Sequence, residues 1–65
     1  MSKAEELFEL SFYMQGSAEG RSLADIQQKF DVSRRTAERM RERLLRVFPQ
    51  AEEVQTGGRV KRWRL

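Results

Sequence analysis

Three α-helices followed by a small β-hairpin, a mainly α fold, are what the sequence predicts, on three observations. Ser2, Ser22 and Ser33 each stand where a helix would begin, and the first two are followed three residues later by an acid, Glu5 and Asp25. That spacing lets side chains satisfy the orphan N–H groups of a first turn. Breakers then separate the apolar stretches, with Gly16 and Gly20 inside "QGSAEGR" and Pro49 after "LLRVF". Last, Gly57-Gly58 lies between runs containing Val54, Val60 and Trp63, the pattern of a tight-turn hairpin.

The first helix is predicted over 3–15, with Ala4, Leu7, Ser11 and Met14, and Leu10 beside them, as its core stripe. The second follows Ser22 over 23–30 and turns Leu23, Ile26 and Phe30 to one side. The third spans 34–48, because Pro49 rules out further helix. On it Ala37, Met40, Leu44 and Val47 form the core face, and Arg35, Glu38, Arg39, Glu42 and Arg46 lie opposite.

The hairpin is predicted from strands at about 51–56 and 59–65. With Gly57 and Gly58 as the two turn residues, Val54 falls opposite Lys61, Glu53 opposite Arg62 and Glu52 opposite Trp63. Trp63 and Leu65 then point one way, with Trp63 as the anchor in the core, and Arg62 and Arg64 the other. Two helices joined by a short turn, preceded by a first helix and followed by a hairpin, make a winged helix-turn-helix, a single domain over 1–65.

Composition narrows the function. The 65 residues include no cysteine and no histidine, so there is no disulfide framework, no zinc site of the usual ligands and no Cys/His nucleophilic pair. The neighbouring carboxylates Glu5, Glu6 and Glu9, or Glu52 and Glu53, have no base beside them to suggest activation. The expectation is a protein that is not an enzyme and uses no cofactor or metal. The apolar run "LFELSFYM" is far shorter than the roughly 18 residues a membrane span needs, so a cytoplasmic location is expected.

Charge is divided along the chain. Residues 1–31 hold three cations against six acids, a net of −3, and residues 32–65 hold ten cations against four acids, a net of +6. A basic half of this kind suits a polyanion.

The third helix opens against the usual rule. Behind Ser33 come Arg34 and Arg35, cations at the positive end of a helix dipole, and Thr36 stands where an acid would close a capping box. An N-terminus left without an acid is open to an anion, and the basic half of the chain makes that anion phosphate. In a helix-turn-helix the second helix enters the major groove by its first residues, here Arg34, Arg35, Thr36, Glu38 and Arg39. Arg35 and Arg39 are assigned to base edges, since arginine pairs bidentately with guanine. Glu38 either accepts from cytosine or holds Arg35 or Arg41 in place, and Arg34 with the Ser33 and Thr36 hydroxyls suits phosphate. The bland reading of the same residues is a pair of exposed contacts, Arg35 with Glu38 and Arg39 with Glu42. The wing over 57–64 adds Arg59, Lys61 and Arg62, placed to reach the backbone or the minor groove.

The stretches "DVSRRTAERMRERLLRVFPQAEEV" and "GGRVKRWRL" resemble the N-terminal, DeoR-like winged-helix domain of bacterial WYL-domain transcriptional regulators. The resemblance covers roughly residues 20–65. It carries over Ser33, Arg34, Arg35, Thr36 and Arg39, whereas Ala37, Glu38, Met40 and Arg41 depart from the "SRRTVYRDL" of many members. It implies a DNA-binding regulator of transcription in the bacterial nucleoid, bound to a pseudo-palindromic double-stranded operator. It also implies that the chain is the N-terminal part of a longer protein. A separate downstream domain would make it a homodimer and bind the effector, leaving no small-molecule ligand for this part.

Phe8 and Phe12, four residues apart, lie off the core stripe of the first helix. They are either covered by the hairpin or the end of the third helix, or form a patch for another domain or a second copy. The alternative to DNA binding follows from the second case: a protein-interaction winged helix whose basic face meets an acidic partner while Phe8 and Phe12 anchor it.

Overall fold

The computed structural model describes residues 2–54 and 58–65. In chain order it contains α1 (Lys3–Gln15), α2 (Leu23–Phe30), α3 (Arg34–Val47), β1 (Glu52–Val54) and β2 (Arg62–Arg64). The two strands form one antiparallel sheet, α1 and α2 both pack on α3, and α1 also meets β2. The result is a small winged-helix arrangement, as the sequence predicts.

Each helix begins where its serine places it. Ser2 Oγ accepts from Glu5 N–H, and Ser22 forms a full capping box with Asp25, whose carboxylate accepts from the Ser22 N–H at 2.9 Å. Ser33 Oγ accepts from Thr36 N–H at 3.2 Å. The turn between α2 and α3 is made by Asp31, which takes the left-handed conformation (φ 53°) that a short acidic side chain tolerates. α3 ends one residue earlier than expected, with Phe48 as its cap ahead of Pro49.

The core consists of Leu10, Met14, Ile26, Ala37, Met40, Leu44 and Trp63, with Leu23, Phe30, Phe48 and Leu65 packed around it. Two expected core residues are outside it. Ala4 is exposed, and Val47 is 51% exposed because Phe48, the next residue, covers that end of the core. Phe8 and Phe12 are each 66% exposed, so neither the hairpin nor α3 covers them. α1 therefore carries apolar side chains on two sides and buries one of them.

The hairpin departs from expectation in length and in register. Glu52 pairs with Arg64, Glu53 with Trp63 and Val54 with Arg62, one residue off the pairing that a two-residue Gly57-Gly58 turn dictates. Residues 55–57, the end of the expected first strand and Gly57, lie outside the described residues, and among the described residues the paired strands are three residues each. A further contact lies on the other side of β2. Arg21, in the link between α1 and α2, pairs with Trp63 through two backbone hydrogen bonds of 2.7 and 3.0 Å. β2 is thus held between β1 and the Arg21 segment, and Trp63 is fixed by this bridge and by the core.

Gly20 makes that approach possible. Its φ is +87°, and a Cβ there would stand 3.0 Å from the Trp63 carbonyl oxygen and 3.0 Å from Val54 Cγ2. Only glycine meets both conditions without strain.

Candidate nucleic-acid interface

The first turn of α3 contains no acid. Ser33 caps Thr36, and its hydroxyl also donates to Thr36 Oγ1 at 3.2 Å, so the two hydroxyls engage each other. The backbone N–H groups of Arg34 and Arg35 have no partner among the described residues. Arg34 and Arg35 are both exposed at this end.

Pairing sorts the ten cations of the basic half. Four have a carboxylate: Arg34 with Glu38 (3.4 Å), Arg43 with Glu6 (3.8 Å), Arg62 with Asp25 (3.3 Å) and Arg64 with Glu52 (2.6 Å). Arg35, Arg39, Arg46, Arg59 and Lys61 have none among the described residues, and all five are exposed. Neither bland pair forms, since Arg35 does not meet Glu38 and Arg39 does not meet Glu42. Glu38 binds Arg34 and neither Arg35 nor Arg41, so of its two expected roles the positioning of those two arginines is not seen.

The structure splits the predicted site residues into three groups. Arg34 and Glu38 of α3 converge with Arg59 and Lys61 of the wing on a groove of about 630 Å³, which Leu23 and Trp63 also line. Arg35 and Arg39 stand one turn apart on the neighbouring solvent face of α3. Arg62 is half-buried, its Nη1 donating to the Gly20 carbonyl and to Asp25 Oδ2, both at 3.3 Å. Because Asp25 Oδ2 also accepts from Ser22 N–H, one carboxylate ties the wing to the start of α2.

Arg41 belongs with this interface and was missed as a site residue. Its guanidinium lies 4.5 Å from the centre of the Trp63 ring and lines the same groove. The spacing Arg34, Glu38, Arg41 on one helix stripe was visible, but its orientation toward the wing depends on where the core places Trp63. The groove thus gathers four cations against one acid, a surface suited to phosphate groups.

Among the described residues no helix is long and apolar enough to cross a membrane, and no cluster of acidic side chains is arranged to hold a metal ion. No family model matches the chain, and no curated protein matches it.

Proposed function

We propose that the chain is the reading head of a transcriptional regulator that binds double-stranded DNA in a sequence-specific way. The observation that carries the reading is the pair Arg35 and Arg39. Both are exposed and without an ion-pair partner among the described residues, on the first half of the helix that follows the turn. Placed in a major groove, they meet base edges and favour guanine, while the acid-free helix start takes a backbone phosphate. Arg59, Lys61 and Arg41 line the adjacent groove and supply the second, sequence-independent contact. Arg62 contributes by holding the wing in place rather than by touching DNA.

A head of this size binds weakly alone, and two heads one or more helical turns apart on a pseudo-palindrome restore affinity. The test is a titration of labelled duplexes selected from random sequence, comparing the chain with Arg35→Ala. The expected loss is about tenfold or more on the selected site, with log K falling by about 0.9 per phosphate contacted as log salt rises. Equal affinity of the two proteins at low salt removes Arg35 from the interface.

A second reading has one observation in its favour, the exposure of Phe8 and Phe12. In it the basic face binds an acidic protein and the two rings anchor the complex. It predicts no preference among duplex sequences and a stoichiometric protein complex.

A further inference from the structure

We infer that the outer face of α1 is a docking surface for a second copy of this chain, with the two α1 helices packed antiparallel across a two-fold axis. Ala4, Phe8 and Phe12 follow one another at four-residue spacing and are all exposed, on the side of α1 away from Leu10 and Met14. The two rings are stacked with centroids 6.3 Å apart, so they present one continuous apolar ridge.

Next to the ridge, toward the C-terminal end of α1, is a hollow of about 390 Å³ lined by Glu9, Phe12, Tyr13, Gly16, Arg21 and Lys29. Arg21 lies 4.1 Å and Lys29 5.7 Å from the centre of the Tyr13 ring, which holds both cations at that end. Toward the N-terminal end the same face carries Glu5, and Glu9 stands at mid-helix on the rim of the hollow, both exposed. Among the described residues none of Glu5, Glu9, Arg21 and Lys29 forms an ion pair.

The patch is therefore self-complementary: a ridge and a hollow side by side, with Glu5 toward one end and Arg21 and Lys29 toward the other. Antiparallel pairing sets Phe8 of each copy at the hollow of its mate and brings Glu5 toward Lys29 and Arg21 of the mate. It also opposes the two helix dipoles. A parallel arrangement would set acids against acids, so charge selects the orientation. An isologous contact of this kind closes on itself and needs no third copy. Two helices meeting along a single face of a few residues make a weak dimer, so association is measured at high protein concentration. This surface does not depend on the DNA reading and is tested without DNA.

Sedimentation equilibrium of the chain up to about 1 mM measures it. The expected result is a monomer–dimer equilibrium that Phe12→Ser weakens about tenfold or more, with melting temperature unchanged because the ring is exposed. Glu5→Lys and Lys29→Glu are each expected to weaken the dimer several-fold, and the chain carrying both changes to recover it. A chain that stays monomeric throughout, or a dimer that Phe12→Ser leaves intact, overturns the proposal and leaves the face to a different partner. Single changes that weaken association without recovery in the double variant overturn the antiparallel arrangement.

Discussion

The outer face of α3 and the strand β2 are both rich in arginine, yet their cations have opposite fates. On β2, Arg62 is tied to Asp25 and the Gly20 carbonyl, and Arg64 to Glu52. On α3, Arg35 and Arg39 have no acid within reach among the described residues. The difference is made by neighbours. β2 lies between two other chain segments, each of which brings a carboxylate or carbonyl to it, whereas the outer face of α3 has no element packed on it. Formal charge in a sequence is thus a poor measure of the charge a partner meets, because a cation held by a partly buried carboxylate and carbonyl is less accessible than one left exposed and unpaired.

The contrast is broken most directly by removing both free cations. Arg35→Ala with Arg39→Ala is expected to reduce affinity for a selected duplex by about a hundredfold or more, with thermal stability unchanged. A fall in melting temperature without loss of DNA affinity would reverse the assignment of the two regions. Next in size is the hinge beneath β2. Gly20→Val forces a side chain into a positive φ and against the Trp63 carbonyl, an expected cost of about 2 kcal/mol, or roughly 10 °C in a melting experiment.

Arg62→Met should cost about 1 kcal/mol, since the pair with Asp25 is only partly shielded from solvent. Its effect on DNA affinity should be much smaller than that of Arg35→Ala, and titration of both variants under one buffer condition separates the two roles. Arg64→Ala is the smallest change. Its contact with Glu52 is exposed, and chemical denaturation should register less than about 0.5 kcal/mol.

The helices were legible because their signals are local. A serine oxygen and a backbone N–H three residues later decide where a helix starts, and Pro49 decides where α3 stops. The register of the hairpin was not legible: the Gly57-Gly58 signal dictates a pairing one residue away from the one observed, and the bridge on the far side of β2 has no local signal. Nothing near Arg21 announces that it will pair with Trp63 across most of the chain, and Gly20 reads as an ordinary turn residue until Trp63 and Val54 are seen against it.

The candidate site divides in the same way. The outward direction of Arg35 and Arg39 follows from the helix wheel once Ala37 and Met40 fix the core side. The inward commitment of Arg62 and the position of Arg41 over Trp63 depend on packing between distant segments, which periodicity does not encode. α1 misled for a different reason. Its apolar residues occupy both sides, so the wheel admitted Ala4 to a core stripe that in the folded chain is made by Leu10, Ser11 and Met14.

The bridge between Arg21 and Trp63 also bears on how the chain folds. It joins the link after the first helix to the last strand, and the neighbouring contact from Arg62 to Gly20 spans 42 positions. Helices α1, α2 and α3 can form early from local contacts, but the hairpin has no edge to rest on until the α1–α2 link is in place. Loop closure over that distance comes late and is slow relative to helix formation.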